Sequence, residues 1–420
     1  MARLSAAGLS VPTGTPLPDY SSISTALTDE AGLVPAPGEE LRVTPLVSVE
    51  DIVSQGQPLL ELRAAPEIRL VAPMAGRVAA IELKPGRSLT QLVLFREETG
   101  ERHVFAGPAG NADDMRALLQ ASGLWHRLRS RPFGHMPRPT ETPSAIVIMA
   151  ADSRPGAPAP TEALKGREAA LARGLEALSL LTEDKLFFCE PHKARIGVDL
   201  PAEIIRVPVG RLHPLGLAGL QVHRLCPASI EKRVWDMHAE DVADLGELIE
   251  TGMLPETRLV TVTGPALNSQ RVVRTQPGAD MRGLCFGHVR PGPHHVIAGS
   301  HIDGHAGHWL GPRDRQVTVL SHGAGQRRGH WFSAALTRAA RPLPIIPTSA
   351  LEQALGGDIP AAALVRALSS GDQESAVRLG ALSLIEEDLA LADYITAAEP
   401  SLSAQLRGIL NRIEKEEVPA

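Results

Sequence analysis

The chain has 420 residues, 43% hydrophobic and 21% charged, which fits a globular protein of two to four domains. A formal net charge of −6 leaves no basic excess of the kind that makes nucleic acid a main partner. Cys189, Cys226 and Cys285 lie far apart with no C-x-x-C, which excludes a readable cysteine zinc site, iron–sulfur motif or disulfide framework and favours a reducing compartment.

No run approaches the ~18 apolar residues needed to cross a bilayer, and Met1 to Pro16 lacks an apolar core of signal-peptide length. A soluble, cytoplasmic protein is therefore expected, with any membrane role supplied by a partner. Residues 40–96 alternate short apolar runs with turns, as in Val43-Thr44-Pro45-Leu46-Val47 and Leu59-Leu60-Glu61-Leu62. Asp51 to Leu59 followed by Ala72-Pro73-Met74-Ala75-Gly76-Arg77-Val78 resembles the flattened barrel of biotinyl and lipoyl carriers. Such carriers hold their cofactor on a lysine at a hairpin tip. That place falls near Ala65, and the nearest lysine is Lys84, so the fold is expected without the carrier function.

Residues 112–255 alternate helices and strands, which predicts a mostly parallel sheet. A helix over 112–120 leads into Ser122 to Pro139, a place where α/β nucleotide-binding proteins often carry a glycine-rich phosphate cradle. Here the segment is bulky and basic, with Trp125, His126, Arg127, Arg129, Arg131 and Phe133, and Pro132 and Pro137 offer no N–H. No G-x-G-x-x-G follows any strand, so a bound nucleotide is not expected. Ala145 to Met149 is a strand buried on both faces. Thr161 is the expected cap of the next helix, with Leu164, Leu171, Leu175 and Leu178 on one face. Further strands fall at 186–189, 203–207 and 258–262, and a further helix at 241–253.

From 256 to about 330 the pattern returns to strands and turns. His288, His294, His295, His301, His305 and His308 crowd one stretch, but its glycines argue against a metal-binding helix, and a histidine-rich surface loop is the preferred reading. His213-Pro214-x-Gly216 reads as a packing turn before a catalytic one, and no nucleophilic triad is supported. From about 347 the chain is cut into short helices. Pro360 and Gly371 bracket one, Ser383 to Glu386 fits a capping box for another, and Ser401 opens the last, with Leu402, Leu406, Ile409 and Ile413 as its stripe.

Five pieces in order carry a family resemblance: Ser122 to Pro137, His213 to His223 with Val234-Trp235, Glu250 to Gly264, Arg271 to Ala279, and Leu384 to Ile395. Together they resemble the A subunits of the bacterial Na+-translocating NADH:quinone reductase, over about Gly8 to Ile413. The resemblance implies a multidomain α/β plus β fold. A carrier-like (barrel-sandwich) β-domain would span 1–108, a Rossmann-like α/β domain lacking the glycine-rich loop 109–255, a β-grasp (SLBB-like) domain 256–335 and a helical domain 345–420. The architecture is similar to the flavin-binding subunit of respiratory complex I and the C subunit of the Rnf complex, without their flavin loop and iron–sulfur cysteines.

The resemblance further implies a peripheral subunit on the cytoplasmic face of the inner membrane. Its partners would be the other five subunits, above all the membrane subunit of the quinone site. The complex uses NADH, flavins, an iron–sulfur centre and ubiquinone to export Na+. No cofactor, metal or catalytic residue is expected in this chain itself. Trp125, Arg131, Phe133 and His135 are the candidate quinone-binding residues, an aromatic wall with donors for the carbonyl oxygens. Against this stands a reading with Trp125 and Phe133 as core anchors and the arginines at an interface. The chain departs from the family pattern at Ala381 and Ala392, where cysteines are usual, and over 322–343. Two alternatives remain at this point: a soluble flavin or NADH electron-transfer subunit of the Rnf type, and a stand-alone binding module.

Overall fold

The computed structural model describes residues 7–417 apart from 14, 17, 98–99, 108–109, 183 and 322–347. The departure read at 322–343 lies outside the described residues. A two-residue strand, β1 (Ser24–Thr25), precedes a seven-stranded sandwich of β2 (Glu30–Leu33), β3 (Val43–Pro45), β4 (Ile52–Val53), β5 (Pro58–Leu62), β6 (Ala65–Val71), β7 (Gly76–Lys84) and β8 (Ser88–Arg96). These make two sheets, β2-β8-β7-β4 and β3-β5-β6. Leu59, Leu70, Val78, Leu92 and Leu94 fill the space between them. Ala65 opens β6 just past the β5–β6 turn and is buried, while Lys84 ends β7. The hairpin tip therefore holds no lysine.

The next unit is α/β. It runs α1 (Ala112–Ala121), β9 (Arg129–Arg131), β10 (Ala145–Met149), α2 (Pro160–Ala163), α3 (Glu168–Ser179), β11 (Lys185–Pro191), β12 (Ile204–Val209), α4 (Ala218–Leu225), β13 (Val234–His238) and α5 (Ala239–Thr251). The sheet order is β12-β11-β10-β13-β9. The first four strands are parallel and β9 is antiparallel to β13. Strand order thus reverses between β10 and β13, and the carboxyl ends of those two strands frame the switch point of the sheet. Ser122 to Pro139 does not occupy the cradle position expected for it. It supplies an edge strand, and the loop after the first parallel strand is 150–159.

Thr161 is not the helix cap either. Pro160 to Ala163 form one turn behind Ala159, and the longer helix restarts after Arg167. The leucine stripe holds nonetheless, with Leu164, Leu171, Leu175 and Leu178 in one core with Ile146 and Ile148. Each buried leucine contributes about 1.5–3 kcal/mol. Helices α3 and α5 approach closely because Gly174 and Gly246 face the partner backbone. A Cβ on either would run into the carbonyl oxygen of Val242 or Ala170.

The third unit contains β14 (Arg258–Thr263), β15 (Arg271–Thr275), α6 (Met281–Cys285), β16 (His294–Ala298), β17 (His305–Ala306) and β18 (Gln316–Ser321). The order β1-β15-β14-β18-β16-β17 shows that the N-terminal extension adds an edge strand here, with Ser24 opposite Val273. Its histidines lie in the turn after α6 (His288), on β16 (His294 and His295), in the turn that follows (His301), on β17 (His305) and just past it (His308). Among the described residues, no group of three or more His, Cys, Asp or Glu could hold a metal ion.

The chain closes with helices Ser349–Ala354, Ala361–Ser370, Gln373–Arg378, Glu386–Thr396 and Leu402–Glu417. The expected box on Ser383 is displaced. Ser383 sits in a 3-10 turn, and its hydroxyl accepts the Ala228 N–H at 3.1 Å. Asp388 caps the following helix by accepting the Ile385 N–H at 2.9 Å. Leu402, Leu406, Ile409 and Ile413 are all buried, and Ala381 and Ala392 pack in the same core.

Candidate functional site

A cleft of about 510 Å³ opens beyond the carboxyl ends of β10 and β13, at the switch point. Four parts of the chain wall it. The α/β unit gives Met149, Asp152, Arg154 and His238, and the β-grasp unit gives Asp303 and Arg315. The helical region gives Glu387 and Ala390, and the loop between β2 and β3 gives Glu39. Open α/β sheets place ligands at this position.

The loop after β10 is not a phosphate cradle. Pro155, Pro158 and Pro160 remove three backbone donors, and α2 is only four residues long. Arg154 fills the place instead. Its backbone N–H donates to Asp152 Oδ1 at 2.8 Å, which folds the loop back on itself. Its guanidinium then donates to Asp152 at 3.0 Å, Asp303 at 2.6 Å and Glu387 at 2.6 Å. One side chain so joins three units of the fold. Burial works against its charge, yet the three carboxylates overcome that and raise its pKa well above the usual guanidinium value.

A second set of pairs lies beside it. Arg129 donates to Asp236 Oδ1 from Nη2 at 2.7 Å and to Glu387 Oε1 at 2.8 Å. Arg131 donates to Asp236 at 3.0 Å, to Asp388 at 2.8 Å and to the Ser383 carbonyl at 2.8 Å. Burial pushes the Glu387 carboxyl up, but Arg129, Arg154 and Arg131 outweigh it and hold the group ionised well below the usual carboxylate range. Deeper in, Arg127 pairs with Asp241 at 2.6 Å, and Arg315 pairs with Asp241 at 2.6 Å and Glu240 at 3.1 Å. Glu39 pairs with Arg313 at 3.1 Å. Burial raises its pKa, but Arg313 and His126 bring it down to about 2.

His238 closes β13 and caps α5. Its Nδ1 accepts the Glu240 N–H at 3.2 Å, and its Nε2 has no partner. Burial, and then the neighbouring Arg315 cation, keep its pKa well below the ordinary imidazole value. The ring is neutral, and because Nδ1 accepts, the proton lies on Nε2.

The structure spreads the four candidate quinone residues apart. Trp125 has no solvent exposure, packs edge-on to Trp235 with ring centroids 5.2 Å apart, and donates to the Pro137 carbonyl at 2.9 Å. Arg131 is fully buried in the ion-pair network. Phe133 is buried in the core of the C-terminal helices, under the Arg233 guanidinium at 5.1 Å. His135 alone lines the cleft; it is half-exposed and lies 3.4 Å from Glu414. Arg154, Asp236, His238 and Asp303 belong to no motif that the sequence displays, and Glu387 lies in the piece Leu384 to Ile395 without being singled out there. The strand preceding Arg154 is visible in sequence, whereas β13, which holds Asp236 and His238, is not among the expected strands, and the adjacency of the two in the sheet is not visible either.

Comparison with known proteins adds three family matches. The NqrA N-terminal barrel-sandwich hybrid domain matches residues 8–97, the NqrA second alpha/beta domain 111–254 and the NQRA C-terminal domain 259–307. The A subunit of the Na(+)-translocating NADH-quinone reductase of Histophilus somni (strain 129Pt) is 33% identical over 90% of this chain and 93% of that protein. Its counterpart in Klebsiella pneumoniae (strain 342) is 32% identical over 90% and 93%, and that of Pseudomonas aeruginosa (strain UCBPP-PA14) 32% over 90% and 91%. A solved NAD+-reducing [NiFe]-hydrogenase, air-oxidised, aligns with 75% of this chain and 69% of its own at 13% identity and a TM-score of 0.38. That similarity is too distant to bear on the chemistry.

Proposed function

We propose a role that starts from one premise: the chain belongs to the NqrA family, the A subunits of Na(+)-translocating NADH-quinone reductases. It is thus a subunit of a multi-subunit, ion-translocating enzyme of the respiratory chain. Among the described residues, no helix is long and apolar enough to cross a membrane. In our reading the chain sits peripherally on the cytoplasmic face of the inner membrane, against the membrane subunit of the quinone site and with the other five subunits as its assembly. NADH, the flavins and the iron–sulfur centre belong to those partners. For the iron–sulfur centre the cysteines support this, since Cys189, Cys226 and Cys285 are free thiols with no C-x-x-C spacing. The chain contributes structure and a place for the quinone head group on the quinone side of the reaction.

The observation that carries this reading is the cleft at the switch point. Its nucleotide cradle is replaced by Arg154, whose charge is more than matched by Asp152, Asp303 and Glu387, while Met149, Met237, Ala298 and Ala390 add apolar lining. Such a cleft suits a neutral flat ligand better than a phosphate. The test is Ala390→Phe in the assembled complex, which puts a ring into the cleft from the helix Glu386–Thr396. Apparent KM for ubiquinone-1 rises while KM for NADH and the thermal midpoint hold. An unchanged quinone KM in the folded variant contradicts the role.

A further inference from the structure

Every guanidinium that lines the cleft is already ion-paired: Arg127, Arg129, Arg154, Arg313, Arg315 and Arg407. Among the described residues, the cleft therefore offers no unpaired guanidinium to an anionic ligand. Four side-chain atoms of the lining are buried without a hydrogen-bond partner: Glu39 Oε2, Arg313 Nε, Gln316 Oε1 and His238 Nε2. Glu39 and Arg313 satisfy each other through their other atoms at 3.1 Å. Gln316 is held by its amide nitrogen to the Pro155 carbonyl at 3.0 Å and also borders a second cavity. His238 differs from these three. It stands at the carboxyl end of β13, on the switch point, and carries a neutral N–H donor with nothing to receive it.

A buried donor left unpaired costs on the order of 1–3 kcal/mol, so a persistent one calls for a partner. The capping bond to Glu240 fixes the ring, so the donor cannot turn away without giving up the N-terminus of α5. We propose that His238 Nε2–H is the hydrogen-bond donor to a carbonyl oxygen of a neutral quinone-class ligand held in this cleft. This rests on the quinone-side role proposed above and names the residue that would read the ligand. Nε2 is closed to water in this structure, so the oxygen enters with a small displacement of the cleft wall. A neutral imidazole suits a neutral carbonyl, because it donates without placing a charge in the cleft.

Two substitutions separate the two nitrogens. His238→Asn puts an acceptor where Nδ1 stands, keeping the α5 cap and losing the donor. His238→Gln reaches the place of Nε2, keeping a donor and weakening the cap. The assay is equilibrium dialysis of ubiquinone-1 against the purified full chain, with thermal midpoints alongside. The wild type binds saturably. His238→Asn binds roughly tenfold more weakly, equivalent to about 1.4 kcal/mol, with its midpoint unchanged. His238→Gln binds within about threefold of wild type, with a lower midpoint. If the wild type binds and His238→Asn binds equally well, the assignment of His238 is overturned and the quinone-side role stands. If His238→Asn loses binding and midpoint together, or His238→Gln binds no better than His238→Asn, His238 is a capping residue only and the assignment is again overturned. If the wild type shows no saturable binding, the quinone-side role falls and takes this assignment with it.

Discussion

Arg131 joins the edge of the parallel sheet to the C-terminal helices, and its removal should loosen that junction measurably. The side chain has no solvent exposure and contacts Asp236, Asp388 and the Ser383 carbonyl. Arg131→Met keeps much of the aliphatic volume and removes the charge. Breaking a buried ion pair from one side costs roughly 3–5 kcal/mol, because the other charge is left uncompensated. Asp236 retains Arg129 at 2.7 Å. Asp388 retains only the N–H groups of Ile385 at 2.9 Å and Gly219 at 3.2 Å. These partial replacements place the expected loss near the lower limit, about 3 kcal/mol. Asp388→Asn keeps one acceptor oxygen, enough for the Ile385 N–H but not also for the Gly219 N–H on the other oxygen, and in the double variant no uncompensated charge remains there. The double variant should therefore be more stable than the sum of the singles by about 2 kcal/mol. A chain of several units does not unfold in one step, so the assay is amide hydrogen exchange over 386–396, which reports local opening free energies. Effects that add to within about 0.5 kcal/mol would refute the coupling.

The buried His213 makes stability depend on pH. Its Nδ1 lies 3.1 Å from Ser153 Oγ, and burial together with the nearby Arg154 cation lowers its pKa to about 4. The unfolded imidazole titrates near 6.5, so unfolding takes up a proton between these values. The contribution is present above about pH 6.5 and is lost as pH falls toward 4, by about 2 kcal/mol at pH 5. His213→Asn should flatten that slope in the opening free energies read from amide hydrogen exchange over 145–149 at pH 7 and 5, and an unchanged slope would show that other groups cause it. Phe133→Ala should destabilise the helical region by about 3–5 kcal/mol, whereas His135→Ala, half-exposed, should stay within about 0.5 kcal/mol. Equal shifts in hydrogen exchange for the two variants would contradict the placement of Phe133 in the core.

Much of the fold is legible in the sequence because local patterns decide it. The continuous run Ala145 to Met149 forms the central strand, and the stripe Leu402, Leu406, Ile409 and Ile413 forms the buried face of the last helix. The failures share one cause, which is competition from distant partners. The spacing of Ser383 marks it as a cap, but the Ala228 N–H claims its hydroxyl from another unit. Ser24 and Thr25 lie in an extension with no strand signal and form an edge strand because β15 offers open backbone groups. The site is the least legible part. Residue type within one segment singles out the quinone candidates, yet the interior takes Trp125, Arg131 and Phe133. Arg154 and His238 gain meaning only once β10 and β13 are neighbours, a fact of strand order that no local pattern encodes.

If the cleft at the switch point receives the quinone, equilibrium binding of ubiquinone-1 must differ between the purified chain and its Ala390→Phe variant. One saturable site is expected on the wild type. The variant should lose affinity by tenfold or more, about 1.4 kcal/mol or greater, with an unchanged thermal midpoint. Equal affinity in the two proteins, or no saturable binding to either, would contradict the claim.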